Sequence, residues 1–446
     1  MTDSPNIIIV VLDTLRKDVL RAYGGGASSP NLDVLAADGV VYQNCVASSP
    51  WTAPSHASLF TGLLPSRHGV HESWDNKMLQ VFGSMKSVSA EPLASYLADR
   101  GYETTCYSAN ANIAPGSGFE RGFSSFSLMN VDPPDDSKQV LSMARSYGRT
   151  RREIATNLLK QGKVGDLTRL YLEDRRLKRE YKKMNFPLFK GGDRIATSLG
   201  GRKLEQPFFL FVNLLEMHEP YLRGEPGMEP KPIADLFGKR TVGKQIMEAI
   251  RHRYAEEVST VDSFFGAILH WLRDSGTYDD SMVIATSDHG QSLKEMGFYG
   301  HGTFMHDEIL QVPLIVKYPG GSKPKLKPGY QPLHRVQEAV KDSLVGVHDG
   351  ISLTSDHAVA ESFGIPNGLE SVSDAREFAA KRARFDRPRK AVYMKGLKLA
   401  VDGHEGVIEE FTKARKPLGP GEFSEELKEM VGVLRELRDV GFKLPA

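Results

Sequence analysis

Four residues in this chain have the type and the setting for chemistry on an anionic ester: Asp13, Thr52, Asp288 and His289. Thr52 opens the stretch Ala53-Pro54-Ser55-His56-Ala57-Ser58-Leu59-Phe60-Thr61-Gly62, which reads as a short apolar helix. Pro54 suits the first turn of that helix, where a missing N–H costs nothing. The first N–H groups of a helix lack internal partners and carry partial positive charge. A hydroxyl placed just before them sits where an anion is welcome, a sensible position for a nucleophile attacking a phosphate or sulfate ester. Asp13 directly follows one apolar run, and the adjacent pair Asp288-His289 directly follows another. Such a pair supplies an oxygen and a nitrogen ligand to one divalent ion. Asp at either place also caps a helix well, with no metal involved. Asn110, in the loop after a third such run, carries an amide that can donate to substrate, although loop asparagines also form turns.

These residues need a scaffold that brings strand ends together. Asn6 to Leu12 is nearly continuous in apolar, β-branched residues, as is a strand buried on both faces of a parallel sheet. Val40–Val46, Gly101–Tyr107, Pro207–Leu215 and Ser281–Ser287 read as further strands. Helices are expected from Ser29 to Gly39, Pro92 to Arg100 and Lys244 to Asp274. In open α/β sheets, ligands bind beyond the carboxyl ends of the strands, where Asp13 and Asp288-His289 fall. Residues 136–202 break this rhythm. They are helix-rich and basic, with runs such as Arg149-Thr150-Arg151-Arg152 and Arg175-Arg176-Leu177-Lys178-Arg179. That stretch is either a solvated insertion or a lid attracting an anionic substrate or membrane surface. Ser322–Tyr330 is a Pro/Lys-rich linker. Beyond it, a hairpin over Ala391–Val401 and a helix over Ser424–Val440 suggest a small α+β domain. The expected division is a catalytic domain over 1–325 and a smaller one over 326–446.

The stretch Thr52–Gly62 resembles the signature of the sulfatase family, a branch of the alkaline-phosphatase superfamily. That signature runs Cys/Ser-x-Pro-x-Arg, a small residue, Ser, two apolar residues, Thr and Gly. Thr52 stands where the family has the Cys or Ser converted to formylglycine, and His56 where it has Arg. Asp13-Thr14 stands where the family usually has two acids. The resemblance continues at Glu216-Met217-His218-Glu219-Pro220-Tyr221, where the family's His contacts the anion, and through Gly300-His301-Gly302. His301 takes the place of a substrate-binding Lys or His. The loop around Asn110 lacks the basic residues usual there. The resemblance implies a central mixed sheet sandwiched by helices, with one divalent ion held by Asp13, Thr52, Asp288 and His289. It also implies that His218 and His301 act in catalysis and bind the substrate's outer oxygens, and His56 and Asn110 are expected to bind substrate beside them. Mn, Zn or Mg is expected before Ca, because a carboxylate is missing and an imidazole is added.

Formylglycine sulfatases release sulfate by collapse of a hemiacetal, which needs two hydroxyls on one carbon. Thr has one. A phosphorylated Thr, by contrast, can be attacked at phosphorus. The expectation is therefore a phosphoester hydrolase or transferase, with a true sulfatase as the alternative and a non-catalytic binding protein as a minor one. The substrate is expected to be an anionic ester, with lipid- and glycan-linked esters both in view. Composition agrees with an ordinary soluble protein: 40% hydrophobic and 25% charged over 446 residues, net charge +1, with no nucleic-acid motif. Two cysteines, Cys45 and Cys106, are too few for a disulfide framework. No signal peptide or membrane-spanning run is read from the sequence, so a cytoplasmic location is expected.

Overall fold

The computed structural model describes residues 4–71, 84–129, 151–183, 190–221, 243–321, 323, 328–365, 383, 385–418, 424–437 and 442–445. Its centre is a seven-stranded mixed sheet. In chain order the strands are β1 (Asn6–Leu12), β2 (Val40–Val41), β3 (Glu103–Ser108), β4 (Ser125–Leu128), β5 (Phe208–Leu214), β6 (Ser281–Thr286) and β7 (Leu314–Lys317). They lie in the order β2-β7-β6-β1-β5-β3-β4. β1 sits between β6 and β5 and is parallel to both, while β7 runs antiparallel to β6 and β2. Every residue of β1, β5 and β6 is buried, which is why these strands read as unbroken apolar runs.

The alternation of side chains along β1 divides the core in two. Ile7, Ile9 and Val11 face a cluster containing Phe60, Leu97, Phe211 and Val336. Ile8, Val10 and Leu12 face the other, built from Leu32, Ile195 and the inner side of the long helix Lys244–Asp274. The helix Thr52–Thr61 lies inside the first cluster, and every one of its residues is buried. It ends at Gly62 in the left-handed region, φ 72°. That conformation favours glycine, and a Cβ there would stand 2.5 Å from Gln337 Oε1, so the Gln337 side chain would have to shift.

One expected strand divides. Val40–Val41 joins β7, but the chain then turns, and Cys45–Val46 pairs instead with Gln331–Pro332. The polar Gln43-Asn44 step supplies the turn. Helix Val336–Leu344 packs on the Thr52 helix, with Gln337 Nε2 donating to the Phe60 carbonyl at 3.1 Å. A separate five-stranded antiparallel sheet follows: β8 (His357–Ser362), β9 (Arg389–Met394), β10 (Leu397–Asp402), β11 (Val407–Lys413) and β12 (Lys416–Pro417). One of its faces packs on helix Ser424–Glu436, the other on Val46, Met305 and Leu310. Within residues 136–202, helices occupy Arg151–Lys160, Val164–Lys183 and Gly192–Gly200. Residues 136–150 and 184–189 of that stretch lie outside the described residues, as does most of the linker after Gly321. Both cysteines are free and buried. Among the described residues, no helix is long and apolar enough to cross a membrane.

Phe211 joins the sheet to the Thr52 helix. Its ring lies 4.8 Å from that of Phe60 and 6.0 Å from that of His56. Phe211→Ala should cost about 3–5 kcal/mol, read from urea unfolding, because the buried helix cannot collapse into the space. A loss under about 1 kcal/mol would show that this contact does not fix the helix.

Candidate active site

The carboxyl ends of β1, β3, β5 and β6 converge on one buried cluster. Asp13 follows β1, and its backbone N–H donates to the Leu214 carbonyl of β5 at 2.9 Å. Thr14, next in the chain, adopts φ 63°, a costly conformation for a β-branched residue. It is held there from two sides. Its N–H donates to Asp288 Oδ1 at 3.3 Å, and its carbonyl accepts from the Tyr254 hydroxyl of the long helix at 2.8 Å. Leu15 N donates to Ser287 Oγ at 3.0 Å. The two loops carrying the acids are thus tied to each other.

Asp13, Asp288 and His289 bring one ligand atom each within 4.8 Å of one another, and all three are fully buried. Asp13 Oδ1 and Asp288 Oδ2 accept no hydrogen bond. His56 Nδ1 and His289 Nε2 each lie 3.4 Å from Asp288 Oδ2. Burial and the neighbouring Asp288 both push the Asp13 carboxyl above its ordinary range. For Asp288 burial acts upward too, but His289 and His56 outweigh it and bring the group down. Two buried carboxylate oxygens without donors are costly unless a cation stands between them. His289 Nδ1 faces the Gly290 carbonyl at 2.9 Å, which leaves Nε2 as a lone pair toward the acids, the arrangement of a metal-bound imidazole. This donor set fits a divalent ion.

Thr52 completes the expected cluster. Its Oγ1 lies 3.3 Å from His289 Nε2, in the first turn of its helix. Ser55 Oγ donates to the Asp288 carbonyl at 2.6 Å and pins that turn to the loop after β6. His301 lies over His289, ring centres 4.5 Å apart, and His218 meets His301 edge-on at 5.1 Å. The sequence thus identifies six residues that the fold gathers at one place.

Two residues expected to bind substrate make contacts within the protein. His56 points inward from its helix. Its Nδ1 reaches the Thr52 carbonyl at 3.0 Å and its Nε2 accepts from Asn213 Nδ2 at 3.1 Å, so both ring nitrogens are engaged within the protein. Asn110 Nδ2 donates to Asp13 Oδ2 at 2.7 Å, while its Oδ1 accepts from Asn112 N at 2.8 Å. Both residues brace the cluster through these contacts, which engage both ring nitrogens of His56 and one of the two N–H groups of the Asn110 amide. His68 is buried with its nitrogens on Ser58 Oγ and Val70 N.

Several supporting residues are absent from the sequence reading. Asn213 shares its amide between Asp13 Oδ2 and His56. Its signal was legible: one amide inside the apolar run Phe208–Leu214. Gln291 Oε1 lies 2.7 Å from His301 Nδ1, and Gln291 Nε2 donates to Glu219 Oε2 at 3.1 Å. Lys190 Nζ donates to the carbonyls of Glu216 and His218, so the end of the basic insertion is fastened to the His218 loop. The two histidines are driven apart in charge. Burial with His289 and His218 nearby lowers His301 to about 3. For His218 burial acts downward, but Glu219 and Asp13 outweigh it and raise the group.

A family model described as Sulfatase matches residues 5–345. The endo-4-O-sulfatase of Bacteroides thetaiotaomicron is 22% identical over 438 residues, covering 92% of this chain and 80% of that protein. Iduronate 2-sulfatase of Mus musculus is 24% identical over 353 residues, covering 72% of this chain but only 61% of its own length. Among solved structures, the phosphonate monoester hydrolase of Agrobacterium radiobacter superposes with a TM-score of 0.62 at 19% identity, covering 97% of this chain and 94% of that one.

Asn110→Ala should leave the fold intact and weaken divalent-metal binding by roughly 10–100-fold, since it frees Asp13 Oδ2. Calorimetric titration of the metal-stripped protein measures this. Unchanged affinity would show that the Asn110–Asp13 contact does not prepare the site.

Proposed function

We propose that the chain, which belongs to the sulfatase family, is an ester hydrolase that cleaves a phosphoester, with Thr52 as its nucleophile. The observation that carries this reading is the position of the Thr52 hydroxyl. It lies in a helix's first turn, 3.3 Å from His289 Nε2 and near two carboxylates that each keep one oxygen without a donor. Asp13, Asp288 and His289 would hold the divalent ion, with Thr52 Oγ1 beside them. When bound, that ion supplies positive charge that favours the ionised hydroxyl and offsets the charge of the transferring group. Its identity is proposed as Mn, Zn or Mg before Ca, from the nitrogen in the donor set.

This chain's residues then divide the work. Thr52 Oγ attacks phosphorus in line, the bond to the leaving alcohol oxygen breaks, and a threonyl phosphate forms. The N–H groups of the helix start face the phosphoryl oxygens. His218, raised in pKa, is the group that gives its proton to the departing oxygen. His301, held neutral with Nδ1 on Gln291, offers Nε2 to the proton of the incoming water or alcohol. That second attack, again at phosphorus, returns Thr52 to its starting form. Two neighbouring imidazoles whose environments separate their pKa values suit opposite roles.

A sulfuric-ester reading has its own support in the sulfatase relatives, one of them matching 92% of this chain. The single hydroxyl of Thr52 weighs against it, because a sulfated Thr has no hemiacetal to collapse. Thr52→Ala should lower kcat by at least about 10³-fold with the fold unchanged, and Thr52→Ser should retain part of the rate. Mass spectrometry of protein quenched during turnover should find an added phosphoryl group on Thr52. Full activity in Thr52→Ala, or sulfate-ester turnover without phosphoester turnover, overturns the proposal.

The role of His218 is tested separately. His218→Ala should slow an alkyl ester by roughly 10²–10⁴-fold but a p-nitrophenyl ester far less, since that leaving group needs no proton. Equal losses on both substrates would remove His218 as the acid.

A further inference from the structure

The helical hairpin Arg151–Lys160 and Val164–Lys183 has a surface that neither core uses. Leu159, Val164, Tyr171 and Leu172 are 56%, 56%, 57% and 59% exposed. Large apolar side chains scattered singly on a surface need no explanation, but four on one hairpin do. Val164, Thr168, Tyr171, Leu172 and Arg175 follow the spacing of one helix side, and Asp166 falls at the opposite register. Arg175 lies over the Tyr171 ring, 5.6 Å from its centre. Leu159, Lys160 and Lys163 extend this surface at the turn between the helices, and all three are exposed. Residues 151–183 hold eleven Lys or Arg against five Asp or Glu, in a chain whose net charge is +1. Beyond the hairpin the chain returns at Lys190, whose amine holds the Glu216 and His218 carbonyls at the candidate active site.

We infer that this hairpin docks on an anionic lipid surface. Cations alone would suit any polyanion, nucleic acid and sulfated glycan included. Exposed Leu, Val and Tyr interleaved with Lys and Arg suit the headgroup boundary, where aliphatic stems and a Tyr ring leave water while the charges meet lipid phosphates. The inference does not depend on which ester Thr52 attacks. It does set the active site's neighbour, His218, close to the root of a membrane-docked element.

The test is sedimentation of the whole protein with vesicles of phosphatidylcholine alone, or with about a third phosphatidylglycerol. Binding to the anionic vesicles should be at least about tenfold tighter and should weaken as salt rises. The triple variant Leu159→Glu, Tyr171→Glu, Leu172→Glu should lose it, with turnover of a soluble ester and the melting temperature unchanged. Lys160→Gln with Arg175→Gln, a milder change, should weaken it in part. No binding to either vesicle, or equal binding by the triple variant, overturns the inference. So does retention on heparin without vesicle binding, which assigns the surface to a soluble polyanion. A dimer in sedimentation that the triple variant dissociates assigns it to a second copy of this chain.

Discussion

Two carboxylates, Asp13 and Asp288, are buried together at the end of the central sheet, and much of the surrounding structure answers to that fact. Neither has any exposed surface, so each oxygen calls for a donor or a cation. Asp13 Oδ2 takes the amides of Asn110 and Asn213, and Asp288 Oδ1 takes the backbone N–H groups of Thr14 and His289. The other two oxygens are left without hydrogen bonds. The protein satisfies half of each carboxylate and holds the remaining half rigid. That is how a scaffold prepares cation binding before the cation arrives, at a cost in its own stability.

The rigidity comes from elements far larger than the site. Parallel pairing of β1 with both β5 and β6 fixes the spacing of the loops after them to within a hydrogen-bond register. Tyr254, from a 31-residue helix on one face, holds Thr14 in its strained conformation. On the other face, a helix buried on all sides presents Thr52. Such a helix cannot rotate to relieve a poor contact, so the Thr52 hydroxyl is placed by core packing and not by a mobile loop. A nucleophile placed in this way spends little entropy in reaching its reactive geometry.

What could be read in the sequence follows from the same division. Asp13 and Asp288-His289 were legible because apolar strands end abruptly at them. The long helix Lys244–Asp274 was legible to its end residues, because its apolar side keeps one period throughout. Direction was not legible. His56 and Asn110 sit at the expected distance along the chain, but periodicity alone did not tell that both turn toward the acids. Nor did it show that Val40–Val46 serves two sheets, since apolar content is the same whichever partner a strand chooses. Glu219, Gln291 and Lys190 act through contacts distant in sequence, the kind no local pattern announces.

The two departures from the sulfatase signature make physical sense together. Where that signature has a second acid after Asp13, this chain has Thr14, and where it has Arg, this chain has His56. One carboxylate is gone, and a fixed guanidinium charge gives way to an imidazole that burial pushes down in pKa but Asp288 and Asp13 push up further. An Arg left beside a diminished set of acids would be a buried cation without its partner, and a second acid beside His56 would be the reverse. The compact imidazole still reaches the Thr52 carbonyl and stands 3.4 Å from Asp288, while Phe119 and Phe211 meet its ring edge-on. The third departure, Thr52 itself, is of another kind, because it changes no charge and instead removes the second hydroxyl on which sulfate release depends. The proposed nucleophile would therefore suit an ester whose central atom accepts a second attack.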